Sequence, residues 1–149
     1  MDRECVRIYL EICHSEARIP TYARAGDAGM DIYAVEDQLI EPNNTIIIKT
    51  GLKVAIPEGY EIQIRPRSGL SLKTALRLPN SPGTIDAGYR DEIGIIVHNT
   101  SLSEEYTVKR GERIAQMVLQ RIPMVEWQLA DCVNVIGDNR GGGFGSSGI

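Results

Sequence analysis

The sequence is poor in the residues that build metal clusters, disulfide frameworks and membrane spans. Its 149 residues include three cysteines and two histidines, and the cysteines have no CxxC spacing, so we do not expect a zinc site. Three cysteines cannot all pair, and we expect reduced, structural thiols of a cytoplasmic protein. No apolar run approaches the length of a membrane span, and the charged N-terminal residues do not resemble a signal peptide.

A basic surface and abundant aromatic rings are also missing. The net charge is −4 and only 5% of the residues are aromatic, which argues against a nucleic-acid-binding protein. A polyphosphate ligand would therefore need a few well-placed Arg or Lys side chains, backbone amides and a metal ion. The chain has the length of one domain with its own hydrophobic core.

Short stretches of alternating apolar and polar residues predict β-structure along almost the whole chain. The predicted strands are Val6–Ile12, Thr45–Thr50, Leu52–Ile56, Tyr60–Ile64, Ile93–Val97, Ile114–Leu119 and Val125–Leu129. Only Ser68–Leu76 is predicted to form a helix, and a short one. Many short strands separated by Gly and Pro predict an all-β, jelly-roll-like barrel, and we expect such an edge-rich domain to oligomerise.

Two turn segments carry charged side chains with possible chemical roles. Asp27 lies in a Gly-rich turn and suits a backbone acceptor, whereas Asp31, at the start of a strand, suits either a structural or a functional role. Arg67 and Ser68 follow a strand that ends at Pro66, which favours a phosphate-binding site. The alternative is that Arg67 pairs with a surface acid and Ser68 caps the helix.

The segment Gly83–Gly94 is predicted to form a β-hairpin with an acid and an aromatic ring at its bend. Asp86 is close to glycines that let a ligand approach the backbone, so it suits a general base acting on water, or an ordinary turn residue. Asn80 suits either a turn cap or contact with a nucleobase edge. Gln116 stands inside an apolar strand and requires a polar partner.

Residues 140–149 are the richest in glycine, and two functions suit this composition. Glycine lets backbone N–H groups converge on an anion, while Arg140, Phe144 and the serines add a cation, a ring and hydroxyl groups. The alternative is a disordered Gly/Ser tail.

Five segments in this order resemble the trimeric deoxyuridine triphosphatase (dUTPase) family across almost the whole chain. They are Ala28–Asp31, Pro66–Leu70, Asn80–Tyr89, Arg110–Gln116 and the Gly-rich C-terminal residues. One such match is weak, but five ordered matches are specific. The resemblance implies a jelly-roll-like β-barrel over residues 1–139 and a flexible C-terminal arm, residues 140–149, that closes over the active site of a homotrimer.

The reaction implied by this resemblance is the Mg²⁺-dependent hydrolysis of dUTP to dUMP and pyrophosphate, which supplies dUMP for dTMP synthesis and keeps uracil out of DNA. Asp86 would orient and deprotonate the water that attacks the α-phosphorus. Magnesium would be held mainly by the triphosphate, with Asp31 supporting its water shell. The active sites would be shared between subunits, and neither nucleic acid nor membrane is an expected partner.

The same resemblance implies substrate contacts for the remaining candidates. Phosphate contacts are implied for Arg67, Ser68, Gly69 and Gln116. Uracil contacts are implied for Gly83, Ile85 and Gly94, with Asn80 at the turn, and Thr84 is a further substrate-binding residue. The ring of Tyr89 would stack under the deoxyribose. In the arm, Arg140 would reach phosphate, Phe144 would cover uracil, and Gly145 and Ser146 would wrap the γ-phosphate. The 5-methyl group of thymine would clash in such a site.

Two alternatives share this fold. A dCTP deaminase needs a Glu ten residues after the position of Asp86, and this chain has the apolar Ile96 there. A non-catalytic nucleotide-binding regulator is disfavoured, because every acid, Arg, Ser and ring that the mechanism uses is present. Asp91 and Ala75 stand where the family usually has Gly, and Asp91 adds a negative charge that would weaken substrate binding.

Overall fold

The computed structural model describes residues 4–143. Its strands are β1 (Tyr9–Ile12), β2 (Met30–Tyr33), β3 (Gln38–Ile40), β4 (Thr45–Lys49), β5 (Leu52–Ala55), β6 (Tyr60–Arg65), β7 (Leu76–Arg77), β8 (Gly83–Ile85), β9 (Gly94–Asn99), β10 (Tyr106–Val108) and β11 (Arg113–Arg121). The helices are α1 (Ser68–Lys73) and a single 3₁₀ turn at Val133–Val135. Within the described residues, no helix has the length and apolar character needed to cross a membrane.

The described strands form four small antiparallel sheets. The largest has the order β2–β11–β6–β8, the next has the order β4–β9–β7, and two further pairs join β1 to β5 and β10 to β3. Most neighbours in these sheets are far apart in the sequence, which is typical of jelly rolls. The predicted all-β, jelly-roll-like class is therefore confirmed.

A hydrophobic core joins the sheets. In β6, Ile62 and Ile64 are buried while their neighbours are partly exposed, and in β9 the same alternation buries Ile95 and Val97. Each fully buried side chain of this size contributes roughly 1.5–3 kcal/mol. Because successive side chains of a strand point to opposite faces, this burial also fixes the register of each strand.

Most of the predicted strands are confirmed, with shifts at their ends. The first begins at Tyr9 rather than Val6, and the helix ends at Lys73. The predicted strand at Val125–Leu129 is wrong, since residues 122–132 contain neither strand nor helix. Its alternating side chains are all exposed, so no buried face is available to stabilise a strand there.

The predicted hairpin over residues 83–94 is also wrong. β8 pairs with β6, whereas β9 pairs with β4 and β7, so the two strands belong to different sheets. The carboxylate of Glu92 accepts a hydrogen bond from the Gly51 N–H at 2.8 Å, and the Ile93 N–H donates to the Leu52 carbonyl at 2.8 Å. These bonds draw the returning chain to the second sheet and leave residues 86–93 as a loop between sheets.

Beyond β11 the chain leaves the barrel. Every side chain of residues 121–143 is exposed, among them Trp127 at 89% and Leu129 at 93%. An apolar surface of this extent is typical of a contact with another chain. Cys132 in this segment and Cys13 near the N-terminus are exposed free thiols rather than buried structural ones.

Candidate active site

The largest sheet brings three polar side chains together at one end. In the register of β11, Gln116 lies opposite Asp31 of β2 on one side and opposite Arg65 of β6 on the other. Arg67 follows the end of β6, and its Nε donates a hydrogen bond to Oδ1 of Asp31 across 2.8 Å. Three segments that the sequence presents as separate candidates therefore meet at one place.

Two arginines hold the carboxylate of Asp31. In addition to the bond from Arg67, Nη1 of Arg113 lies 3.3 Å from Oδ2. The Asp31 side chain is 19% exposed, so this carboxylate is oriented within a partly buried network. Sequence reasoning missed Arg113; the signal that would have found it is its place three residues before Gln116, at the start of the same strand.

Gln116 has the polar partner that its apolar strand requires. Its Nε2 donates a hydrogen bond to the Pro66 carbonyl at 2.9 Å. Its Oε1 lies against Gly29, where the Cβ of any other residue would overlap it. The absence of a side chain at Gly29 therefore makes room for Gln116 beside Asp31.

Helix α1 begins beside this group with accessible polar atoms. Arg67 occupies the cap position, and no side chain in the described part of the chain caps the helix, so the alternative reading of Ser68 as a cap is wrong. Arg67 does pair with an acid, but that acid is the partly buried Asp31 rather than the surface acid of the alternative. Ser68 and Gly69 are exposed, and the first N–H groups of a helix have no acceptor within it.

A cavity of about 450 Å³, which we call the Asp31 pocket, opens between these groups. It is lined by Ala23, Arg24, Asp27, Ala28, Gly29, Asp31, Arg67, Ser68, Gly69, Arg113 and Gln116. Its charged side chains are three arginines and two aspartates, so it concentrates cations in a chain whose net charge is −4. Such a cavity suits an anion with several oxygen atoms.

Asp27 shapes the turn that forms one side of the Asp31 pocket. Its Oδ2 accepts a hydrogen bond from the Arg24 N–H at 2.8 Å, and its own N–H donates to the Arg24 carbonyl at 3.2 Å. The prediction that Asp27 acts as a turn acceptor is confirmed. These two hydrogen bonds fix the backbone of the turn at the edge of the pocket.

A second cavity, of about 560 Å³, shares Arg67 and Arg113 with the Asp31 pocket. In its wall, the Tyr106 hydroxyl donates a hydrogen bond to Oε1 of Glu112 at 2.7 Å. Burial, together with this hydrogen bond, raises the pKa of Tyr106 to about 12. The phenol therefore stays neutral near pH 7 and holds Glu112 in the turn that precedes β11.

Asp86 lies in the loop between β8 and β9, and its side chain is exposed. The Tyr89 N–H donates to the Asp86 carbonyl at 3.1 Å, and the Tyr89 hydroxyl donates to the Glu92 carbonyl at 2.9 Å. The bond from the Gly51 N–H to the Glu92 carboxylate ties the loop to the barrel. The loop backbone is thus fixed while the side chain of Asp86 remains accessible.

Most of the predicted uracil contacts lie on or near β8. The strand consists of Gly83, Thr84 and Ile85, and Asn80 precedes it. A Cβ at Gly83 would stand 3.3 Å from Nδ2 of Asn80, so the glycine permits their close approach. Gly94 begins β9, in the other sheet, and a Cβ there would overlap the side chain of Ile47. Both glycines therefore have a packing role as well.

Asp86 and Arg67 lie at opposite ends of the pair formed by β6 and β8. Ile85 pairs with Ile62, so Asp86 continues toward Tyr60, the first residue of β6. Arg67 follows the other end of β6, and the five steps from Ile62 to Arg67 span about 16 Å of extended chain. One copy of the chain therefore does not bring Asp86 into the Asp31 pocket.

Among the described residues, no cluster of three or more His, Cys, Asp and Glu side chains is arranged to hold a metal ion by itself. Asp31 instead suits the water shell of a metal ion whose ligands are phosphate oxygens and water, as Mg²⁺ prefers. Arg140 is exposed in irregular backbone. The predicted contacts of Phe144, Gly145 and Ser146 fall outside the described residues.

Comparison with known sequences agrees with this geometry. The family model described as dUTPase matches residues 15–148. A deoxyuridine 5'-triphosphate nucleotidohydrolase from Solibacter usitatus is 49% identical over 149 residues, covering 96% of this chain and 97% of that protein. A protein of the same name from a Picosynechococcus species is 50% identical over 136 residues, covering 91% and 94%.

Solved structures with the same architecture also carry this activity in their names. A variant of the Staphylococcus bacteriophage 80alpha dUTPase, solved with dUpNHpp, has a TM-score of 0.85 at 31% identity and covers 96% of this chain and 99% of that one. A variant of the dUTPase from phage phi11 of S. aureus, described for its coordination of a structural Mg(II) ion, has a TM-score of 0.78 at 29% identity and covers 84% and 97%.

Proposed function

The chain belongs to the dUTPase family and hydrolyses dUTP to dUMP and pyrophosphate, and we propose how its residues divide this reaction. The Asp31 pocket binds the triphosphate, and Asp86 activates the attacking water. The observation that carries the proposal is the meeting of Asp31, Arg67 and Gln116 in one cation-rich cavity. A polyphosphate site in a chain of negative net charge needs such a concentration of guanidinium groups.

The phosphate contacts come from groups that the protein leaves available. Arg67 uses its Nε for Asp31, and no residue in the range 4–143 accepts a hydrogen bond from its terminal nitrogens, which suit phosphate oxygens. Ser68 supplies a hydroxyl, and Gly69 supplies a backbone N–H in the first turn of α1. Gln116 donates one N–H to Pro66, and its second N–H has no acceptor among residues 4–143. These donors stabilise the negative charge that grows on the leaving pyrophosphate.

Magnesium is the cofactor of the reaction. When bound, Mg²⁺ neutralises charge on the triphosphate and fixes its oxygens for in-line attack. Asp31 suits this ion because each of its oxygens accepts one hydrogen bond in the structure and retains a lone pair for a metal-bound water. Arg67 and Arg113 together keep the carboxylate oriented for that role.

Asp86 is the general base. It takes a proton from water as the water oxygen bonds to the α-phosphorus, and the bond from that phosphorus to the bridging oxygen breaks. Pyrophosphate leaves with the electron pair. The support for this role is an accessible carboxylate on a loop whose backbone is fixed by the bonds of Tyr89 and Glu92.

A complete site takes Asp86 from one copy of the chain and the Asp31 pocket from another, in a homotrimer. The separation of about 16 Å along β6 supports this sharing, because one chain alone leaves the base away from the triphosphate. The exposed apolar side chains beyond β11 support the assembly, because burying Trp127 and Leu129 against another copy removes them from water.

Selectivity for deoxyuridine comes from the chain around β8 and from the C-terminal residues. The Asn80 side chain with backbone groups of residues 83–85 and Gly94 contacts uracil, and the Tyr89 ring, oriented by its bond to Glu92, stacks under the deoxyribose. The arm of residues 140–149 closes over the bound nucleotide and excludes bulk water. In that arm Arg140 contacts phosphate, Phe144 covers uracil, and Gly145 and Ser146 contact the γ-phosphate.

The reaction supplies dUMP for dTMP synthesis and keeps uracil out of DNA. We expect it to take place in the cytoplasm, because exposed free thiols such as Cys13 and Cys132 suit a reducing compartment. The negative net charge gives no reason to expect direct binding to nucleic acid.

A nucleotide panel with pyrophosphate detection tests this function. With Mg²⁺, we expect release of pyrophosphate from dUTP and little from dTTP, dCTP or UTP. Chelation of the metal is expected to abolish the release. Hydrolysis of dTTP as fast as dUTP would contradict the uracil contacts, and a protein that releases no pyrophosphate from any of the four would overturn the function itself.

A further inference from the structure

The Asp31 pocket contains a third arginine, Arg24, whose surroundings differ from those of the other two. Arg67 and Arg113 both pair with Asp31. The guanidinium of Arg24 forms no ion pair or hydrogen bond with any residue in the range 4–143, and its side chain is exposed. It lines the pocket from the turn that precedes β2, and in the sequence it comes before all the predicted phosphate contacts.

The backbone that carries Arg24 is fixed although its side chain is not. Asp27 accepts a hydrogen bond from the Arg24 N–H and donates one to the Arg24 carbonyl, at 2.8 and 3.2 Å. The turn therefore keeps Cα of Arg24 at the edge of the pocket. A cation on a fixed backbone loses less freedom when it binds an anion than one on a mobile loop.

The charges of the pocket indicate what Arg24 binds. Asp31 already offsets much of the charge of Arg67 and Arg113, while a nucleoside triphosphate remains anionic even with one Mg²⁺ bound. Arg24 also lines a neighbouring cavity with Glu4, but that carboxylate is paired with Arg121. An anion that enters the Asp31 pocket meets Arg24 in the pocket lining, beside Asp27.

We propose that Arg24 is a further substrate-binding residue, which contacts the phosphate chain of the nucleotide. The inference rests on the proposed function, since it assumes that the triphosphate occupies the Asp31 pocket. Because its proposed contact is with the phosphate chain and not with the attacking water, Arg24 contributes to binding rather than to the activation of water.

The variant Arg24→Gln tests this role, with Arg7→Gln as its matched control. Both remove one positive charge from an exposed arginine, but Arg7 does not line the Asp31 pocket. In Arg24→Gln we expect KM for dUTP to rise about tenfold, the loss of one charged hydrogen bond, with kcat nearly unchanged. We expect Arg7→Gln to match the wild type.

Binding measurements separate a phosphate contact from a change elsewhere in the site. In dUpNHpp an imido group bridges the α- and β-phosphates, so the affinity of the intact triphosphate is measurable. Arg24→Gln should weaken dUpNHpp by about tenfold and dUMP by much less, and Arg24→Lys should restore part of the loss. Equal weakening of both ligands, or no weakening, would overturn the proposal. If the wild type hydrolyses dUTP but Arg24→Gln matches Arg7→Gln, only the role of Arg24 fails.

Discussion

Nε of Arg67 donates a hydrogen bond to Oδ1 of Asp31 across 2.8 Å, although the two residues lie 36 positions apart in the chain. Both side chains are partly buried, with exposed fractions of 25% and 19%. The bond couples the proposed phosphate-binding group to the acid proposed to support the metal ion. A change at either residue therefore disturbs both functions, and the cleanest test of the chemistry lies at Asp86.

Asp86→Asn should lower kcat for dUTP by at least about 100-fold, because the amide cannot take the proton of the attacking water. Binding of dUpNHpp should be largely unchanged, since the proposed role of Asp86 is to activate the attacking water and not to hold the triphosphate. Asp91→Asn provides the control, because it removes an exposed acid from the same loop. Near-normal turnover by Asp86→Asn, measured as pyrophosphate release, would rule out the proposed base.

A mixture of two inactive variants should recover activity if the site is shared. With Asp86→Asn and Arg67→Gln co-expressed in equal amounts, about one quarter of the sites combine a native Asp86 from one copy with a native Arg67 from another. Turnover should therefore rise to about that fraction of the wild type. Co-expression of Asp86→Asn with Asp86→Ala is the control and should recover nothing. Absence of recovery in mixed oligomers would show that each chain forms its own site.

Deletion of residues 140–149 should leave a folded trimer with severely reduced turnover, because the barrel and the Asp31 pocket lie in the preceding residues. Circular dichroism and light scattering report the fold and the oligomeric state, and pyrophosphate release reports turnover. Full activity of the shortened chain, or loss of its fold, would contradict the proposed role of the arm.

Gly29→Ala should lower both stability and activity, because the new Cβ overlaps Oε1 of Gln116 and must displace it. Such overpacking costs about 1–3 kcal/mol of the free energy of unfolding. Gly88→Ala is the control for stability, since a Cβ at Gly88 meets no atom within 4 Å. Urea unfolding measures both variants, and equal stabilities would show that Gln116 moves aside without cost.

The raised pKa of Tyr106 predicts a loss of stability in alkaline solution. Its folded-state pKa of about 12 exceeds the ordinary value of 10.0, so the folded protein favours the neutral phenol. The contribution is complete below pH 10 and disappears as the pH rises from 10 to about 12, because the unfolded chain ionises first. In unfolding measurements across this range, the wild type should lose stability relative to Tyr106→Phe. A difference that does not change with pH would contradict this assignment.

The sequence predicted the barrel strands well because a half-buried strand repeats every two residues. The alternation around Ile62 and Ile64 records burial on one face directly in the sequence. The same pattern failed at Val125–Leu129, where an alternating segment has no neighbouring strand within the described chain. Periodicity reports which face is apolar, but it does not report what covers that face.

The hairpin prediction failed for a related reason. Gly83 and Gly94 bound a segment with the composition of a tight turn, but composition does not choose the pairing partners of the flanking strands. Those partners are decided by long-range bonds, including that of Glu92 with Gly51, 41 residues away. Arg113 was missed because its importance depends entirely on its distance to Asp31.

By itself the sequence determined the all-β class, the family and the residue types that the chemistry needs, since these depend on local pattern and on ordered motifs. Only the tertiary structure decided which of these residues lie close together in space. It joined Asp31, Arg67 and Gln116 through the register of three strands, and it placed Asp86 at the far end of β6. The physical reason is that strand pairing joins residues distant in sequence, and the hydrogen bonds that fix that pairing leave no local trace in the chain.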